Sequence, residues 1–555
     1  MSELNTLNAP TSEPSSADTW FDKIRQGLIG KAQQIQTPFG LRKLCYADYT
    51  ASGRSLDFIE SSLQNTVMPF YANTHTEANA TGQQTSAFRE QARQQIRQAV
   101  NANDDDLVVF CGSGATSAIN TLISQLGLRN LSPEQAQSVC VLLGPYEHHS
   151  NELPWRELGV VMQRIPEGEQ GGVCLQALEV ALQEHQGKRI IGTFSAASNV
   201  TGILEDQKAI TQLLHRYHAL SFWDFAAAAP YVSLDMNPAD SKELSKDALF
   251  FSMHKFVGGP GTPGILVVKK SLIANAQPSH IGGGTVSFVT PDDHQFLPIG
   301  ERREEGGTPA ILESIRAGLV MHLKQQVGEE AIEQRESELI AKMEQRWANQ
   351  PNIERLGHAQ AKRLSITAVR IKTPYGYLHH GFVTALLNDL FGLQVRGGCS
   401  CAGPYGHQLL NIDKAKSQRI QQALADQEKL VKPGWVRFNL NYFISDQEAD
   451  FILQTIEFVA NHGLAFLPYY AYDTSSDVWR FQNHQLQPMA LAHLANQWFE
   501  PKSHGDQVIP QVDCWQEANQ LMADFAAGKY PVQRQPFNAK YADIKDFVLV
   551  QDLPA

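Results

Sequence analysis

Lys255 stands where an amine can do chemistry. It closes the run Phe250-Phe251-Ser252-Met253-His254-Lys255, and a glycine-rich turn, Gly258-Gly259-Pro260-Gly261, follows it. Burying an ammonium is costly. An amine at the end of an apolar strand is therefore driven toward its neutral form, which can attack a carbonyl carbon. The glycines let backbone pass close to a flat ligand. Taken alone, the segment also reads as a surface lysine before a turn. Cys111-Gly112-Ser113-Gly114-Ala115-Thr116 leads from an apolar run into a helix, and helix-start N–H groups favour a phosphate. Many such turns hold nothing. Leu220-Ser221-Phe222-Trp223-Asp224 sets a carboxylate after a hydrophobic strand, where it can pair with a protonated ring nitrogen or simply cap a helix.

Further groups follow the same logic. Glu147-His148-His149-Ser150-Asn151 offers a histidine that could stack on a ring or move a proton, although a histidine pair is more often structural. Asn199, in Ser198-Asn199-Val200-Thr201-Gly202, could bond a ligand oxygen or only shape a turn. Val395-Arg396-Gly397-Gly398-Cys399-Ser400-Cys401 carries two thiols beside a positive charge and glycines, a setting that can favour a thiolate. The alternative is two cysteines packed in a loop. Arg437, in Trp435-Val436-Arg437-Phe438-Asn439, has the planar fork that grips a carboxylate at two points. Asn73-Thr74-His75-Thr76 could contribute to the mouth of a site.

The elements that must position these groups alternate. Strands are expected after the acidic Asp104–Asp106, at Val139–Leu143, Arg189–Ser195, Leu220–Asp224, Ala248–Ser252 and Ile265–Lys269, with helices at Gln83–Val100, Leu175–Gln186 and Gln207–His218. Strand–helix alternation indicates a mostly parallel sheet covered on both faces, with ligands at the carboxyl ends of the strands. One long helical stretch, Ala310–Asn349, leads to a smaller α+β unit. Its strands are expected at Ser365–Ile371, Leu393–Arg396 and Trp435–Leu440, and its helix at Asp446–Asn461.

In this order the segments resemble the class-V, fold-type-I pyridoxal 5′-phosphate (PLP) enzymes, above all the cysteine desulfurase and selenocysteine lyase group, over roughly residues 46–463. The resemblance implies an α/β fold: a large PLP-binding domain, 46–320, a small domain, 321–463, an N-terminal arm and small-domain segment, 1–45, and an extension, 464–555, of unassigned role. It assigns Lys255 to the covalent link with the cofactor and Cys401 to the sulfur-accepting position, with Cys399 as rival or relay partner. Thr116 and the Ala115 N–H map to phosphate contacts, Ser252 and His254 to phosphate or lysine-flanking contacts, and His148 to ring stacking. Asn199 and Asp224 map to the ring oxygen and nitrogen, and Arg437 to the substrate carboxylate. Glu305-Gly306-Gly307-Thr308-Pro309 matches the segment whose threonine, Thr308, reaches the neighbouring subunit's phosphate, which implies a homodimer. Sulfur transfer from L-cysteine, with a sulfur-acceptor protein downstream, is the implied activity. One departure matters: Ala227 stands three residues after Asp224, where desulfurases usually carry Gln or His. Transamination, epimerisation or β-elimination of another amino acid thus stays open beside desulfuration.

The bulk composition agrees with a globular enzyme. The 555 residues exceed one ordinary core, and 43% hydrophobic with 19% charged residues suits a soluble chain. Asp and Glu outnumber Lys and Arg by 58 to 46 with no long basic run, which disfavours nucleic acid or an anionic membrane as partner. Seven cysteines, odd in number and scattered, point to a reducing, cytoplasmic setting and give no metal-ligand spacing. The polar first 20 residues read as a loose arm without a signal sequence, and no run reaches the ~20 apolar residues of a membrane span.

Overall fold

The computed structural model describes residues 17–554 apart from 75, 483, 485–487 and 497–512. Most of the expected N-terminal arm and His75 therefore lie outside the described residues. Residues 17–20 are not loose: they open a helix, Ala17–Gly27, that buries Phe21 and Ile24.

Seven strands form the central sheet: β1 Asp106–Cys111, β2 Val139–Leu143, β3 Val161–Arg164, β4 Arg189–Ser195, β5 Leu220–Asp224, β6 Ala248–Ser252 and β7 Gly264–Lys269. Their order is β1-β7-β6-β5-β4-β2-β3. All run parallel except β7, which is antiparallel to both its neighbours. β1, β2 and β6 are buried at every residue, as near-continuous apolar runs demand when both faces are covered. β3 was not anticipated. Its four residues are all only partly buried and carry Gln163 and Arg164, so the apolar run that marks a central strand is missing from this edge.

Helices cover the sheet. Ala80–Ala99 (α1) lies along Ile311–Val327 (α4), so closely that a methyl on Gly318 would come within 2.5 Å of Ala92 Cβ. Gly114–Gln125 (α2) follows β1, and Gln207–Arg216 (α3) follows β4, its start capped by the Asp206 carboxylate accepting from Ala209 N at 3.0 Å. Trp223, fully buried in β5, has its indole N–H satisfied by Ser221 Oγ at 2.9 Å.

The expected single helix over 310–349 is two. Gly328, at φ +86°, ends α4, and Glu329–Trp347 (α5) begins at once. A second, antiparallel sheet follows, with β8 Ile353–Arg355, β9 Ile366–Thr373, β10 Arg396–Gly398 and β11 Trp435–Asn439 in the order β8-β9-β11-β10. The strand expected at Leu393–Arg396 is divided. Leu393–Gln394 pairs in parallel with Cys45–Tyr46, while Arg396 starts β10. His380–Phe391 (α6) and Asp446–Phe466 (α7) pack on this sheet.

The last segment belongs to this second unit. A hairpin, Tyr470–Asp473 with Val478–Phe481, packs on α6, and Cys514–Ala526 (α8) packs on α6 and α7, its Trp515 ring against Phe391, Phe451 and Phe458. Among the described residues no helix is long and apolar enough to cross a membrane.

Candidate active site

The carboxyl ends of β4, β5 and β6, the start of α2 and the second sheet enclose one cavity of about 240 Å³. Ser195, Asp224 and Phe250 are register partners across β4, β5 and β6, which brings the Asp224 carboxylate beside the chain that ends in Lys255. The cavity wall includes Ala115, Thr116, His148, Asn199, Asp224, Ser252, His254, Lys255, Cys401 and Arg437. The structure thus gathers ten of the eleven residues singled out in the sequence. Thr308 is the exception: it is exposed, lies outside this cavity and accepts a hydrogen bond from Asn73 Nδ2 at 3.3 Å.

Two close backbone approaches build the site. α2 starts at Gly114, φ +61°, and a methyl on Gly264 would sit 2.1 Å from the Gly114 carbonyl oxygen, so only glycine lets β7 pass under the helix start. The Ala115 N–H donates to Ser252 Oγ at 2.9 Å, joining the helix start to the end of β6. On the other side, residues 48–54 bracket the lysine turn. Gly53 N donates to the His254 carbonyl at 2.8 Å, and a Cβ there would fall 1.8 Å from the Phe256 carbonyl oxygen.

The electrostatics follow from burial. Lys255 lines the cavity, and desolvation lowers its amine from 10.5 to about 8 against the opposing pull of Asp224. Burial raises the Asp224 carboxyl from 3.8 to about 6, against the Ala226 N–H and the Lys255 charge, which favour the carboxylate. His148 is driven down to about 3 by burial and by Lys255, so its ring is neutral; its Nδ1 accepts from Ser150 N at 3.1 Å. Beneath them Glu147 is raised to about 7 by burial; it accepts from Ser195 N at 2.9 Å and Ser195 Oγ at 2.8 Å.

The cationic end holds a residue that the sequence reading passed over. Arg396 and Arg437 are directly opposed across β10 and β11, an unfavourable pairing of like charges. Asp48 resolves it. Its Oδ1 accepts from Arg437 Nη2 at 3.0 Å and its Oδ2 from Arg396 Nε at 3.1 Å. Arg437 Nη1 donates to the Asn199 carbonyl at 3.0 Å. The run of small residues around Asp48, Ala47-Asp48-Tyr49-Thr50-Ala51-Ser52-Gly53, was the available signal. Its register against two distant arginines was not readable.

Four buried polar atoms on residues of the wall have no partner among the described residues: Thr50 Oγ1, Asn199 Oδ1, Ser400 Oγ and Arg437 Nε. Buried polar groups are normally satisfied, so such a cluster around a cavity marks the place of a polar ligand. Hydroxyls and N–H groups at one end, a carboxylate with an adjacent amine at the centre, and an arginine at the other fit an aromatic aldehyde bearing a phosphate, with an amino acid beside it.

Cys399, Ser400, Cys401 and Ala402 form a turn closed by Ala402 N donating to the Cys399 carbonyl at 3.2 Å. Ser400 and Cys401 both adopt left-handed φ, +54° and +56°. Both cysteine residues are free and exposed.

Comparison with known proteins supplies the family: the aminotransferase class-V pattern matches residues 45–431. The chain belongs to the aminotransferase class-V family. Members of this family depend on PLP, so the chain is an enzyme of the PLP-dependent kind. A probable cysteine desulfurase of Halalkalibacterium halodurans is 28% identical over 365 residues, covering 65% of this chain and 84% of the relative. One from Staphylococcus epidermidis is 27% identical over 367 residues, with the same shares. Among solved structures, the apo cysteine desulfurase of Thermococcus onnurineus aligns with TM-score 0.64 at 21% identity over 79% of this chain and 98% of that one. The Escherichia coli cysteine desulfurase CsdA gives 0.57 at 22% over 76% and 96%. At such identities the structural likeness speaks for the fold: the α/β architecture with a mostly parallel central sheet is that of fold-type-I enzymes.

Proposed function

We propose that this member of the family is a cysteine desulfurase-like enzyme that takes sulfur from L-cysteine onto Cys401 and releases alanine. The observation that carries the reading is the meeting of Lys255, Asp224, Arg437 and Cys401 on one cavity wall. PLP, when bound, supplies an aldehyde carbon for Lys255 and a ring that withdraws charge from the substrate Cα. Ser113, Thr116, Ser252 and His254 would hold its phosphate, His148 its ring face, Asn199 its ring oxygen and Asp224 its ring nitrogen. Arg437 orients the substrate carboxylate. With its amine already poised near neutrality, Lys255 removes the Cα proton as general base. The Cys401 thiolate then attacks the substrate sulfur. The carbon–sulfur bond breaks with its electron pair left on Cβ, which takes up the proton that Cys401 gave up, while a sulfur–sulfur bond forms; Lys255 returns its proton to Cα, and alanine leaves behind a Cys401 persulfide, from which an acceptor protein could draw sulfur.

A homodimer is part of this reading. Thr308 is exposed and lies outside its own chain's cavity, which suits a residue serving a second copy's phosphate. We place the enzyme in the cytoplasm on its scattered free cysteines.

A second reading, another amino-acid reaction on the same scaffold, rests on Ala226 and Ala227, which give that stretch of the wall no polar side chain. One experiment separates the two. Purified protein incubated with L-cysteine and a reductant releases alanine and sulfide in equal amounts, and Cys401→Ala abolishes sulfide release while amino-acid-dependent spectral changes persist. A Cys401→Ala variant with undiminished sulfide release would refute the desulfurase reading.

A further inference from the structure

The desulfurase reading needs Cys401 at a fixed place, yet Cys401 sits in an exposed turn whose two central residues are in the left-handed region. Such a conformation is strained for a non-glycine residue, and it persists only where the surroundings over-determine it. Three hydrogen bonds do so. Asn199 Nδ2 donates to the Ser400 carbonyl at 2.8 Å. His149 N donates to the Cys401 carbonyl at 2.9 Å. His149 Nε2 accepts from Gly403 N at 3.0 Å. His149 therefore grips the chain on both sides of Ala402, with its main chain before it and its ring after it. It is also the residue next to His148, so the clamp is covalently continuous with the cavity wall.

We propose that His149 is a positioning residue for the sulfur-accepting cysteine: its ring holds the 399–403 turn in the geometry from which Cys401 reaches the substrate sulfur. The inference rests on the desulfurase reading for its consequence, though not for its geometry. The ring bond requires Nε2 as an acceptor, so Nδ1 carries the proton of the neutral ring. Burial, followed by the opposing influences of Glu152 and Arg156, lowers the proton affinity of this histidine and keeps that acceptor available.

The test uses the full-length holoenzyme and two variants. His149→Leu keeps the main-chain bond and loses the ring acceptor; His149→Gln offers an amide oxygen to Gly403 N. Two quantities are read: amide exchange of the peptide spanning residues 399–405, and the rate of persulfide formation on Cys401 from L-cysteine. The leucine variant is expected to lose protection in that peptide and to form persulfide on the order of tenfold more slowly or worse. The glutamine variant restores both in large part, which a general loss of stability would not allow. The clamp is refuted if the leucine variant keeps wild-type exchange and rate, if its exchange rises with no change in rate, or if glutamine is as defective as leucine. Wild-type protein that forms no persulfide would refute the desulfurase reading instead, and the exchange comparison would still decide whether the ring holds the turn.

Discussion

At the residue scale the site works by burying charge. Asp224 carries this furthest, because its carboxyl titrates near 6 in the folded chain instead of 3.8. The folded protein thus holds that proton more tightly than the unfolded chain. The resulting stabilisation is complete below pH 3.8 and is lost as the pH rises through about 6. At pH 8 the ionised Asp224 therefore weighs against folding until a cation faces it. Asp224→Asn removes this cost while keeping an oxygen for the Ala226 N–H. Melting curves of the cofactor-free proteins should show the variant more stable than wild type at pH 8, by on the order of 2 kcal/mol, with the difference vanishing near pH 4. The same variant should hold PLP more weakly. A variant less stable at pH 8 would mean that Asp224 is satisfied without a ligand. Lys255 shows the converse. Its lowered value, about 8, leaves a substantial neutral fraction at pH 8, so its reaction with an added aldehyde in the cofactor-free protein should accelerate as the pH rises from 7 to 9. A stopped-flow series across that range measures it; a flat profile would contradict the assignment.

At the element scale the cavity depends on backbone closeness more than on side chains. β7 passes under the start of α2 only because residue 264 is glycine. Gly264→Ala must push the helix start away or shift the strand, at a cost of about 1–3 kcal/mol. It should weaken PLP affinity beyond what the loss of stability explains, as titration of the cofactor-free variant would reveal. Unchanged affinity would mean that the helix start plays no part in holding phosphate. The elements themselves were largely legible. Six of the seven central strands could be read to within a residue because strands buried on both faces are largely apolar, as in Val139-Cys140-Val141-Leu142-Leu143. The partly exposed edge strand at Val161 lacked that mark, and the single residue Gly328 broke a helix that periodicity alone continues. Of the cavity wall, Lys255, Asp224 and the 113–116 turn could be placed together from the sequence because each lies within a few residues of a strand end. Asp48 and His149 were not, because their roles depend on partners roughly 350–390 and 250 positions away in the chain, Arg396 and Arg437 for one and Cys401 and Gly403 for the other.

At the scale of the whole molecule, the segment beyond residue 463 completes the second unit. It contributes Tyr470, Trp479, Phe525, Tyr541 and Leu549 to buried positions, and Trp479 donates its indole N–H to His379 Nδ1 at 3.0 Å. None of the cavity residues comes from it. A chain ending at residue 466 should therefore retain every named site residue and yet aggregate, because it uncovers the aromatic faces of α6 and α7. A soluble, active truncated protein, checked by gel filtration and cysteine turnover, would show that the segment is dispensable for folding.

The whole account turns on one amine. Reduction of the holoenzyme with borohydride, followed by proteolysis and mass spectrometry, should place the phosphopyridoxyl group on Lys255 alone, and Lys255→Ala protein treated in the same way should carry none. A label on another lysine, or a Lys255→Ala variant still labelled to the same extent, would contradict the assignment of the cavity and every role built on it.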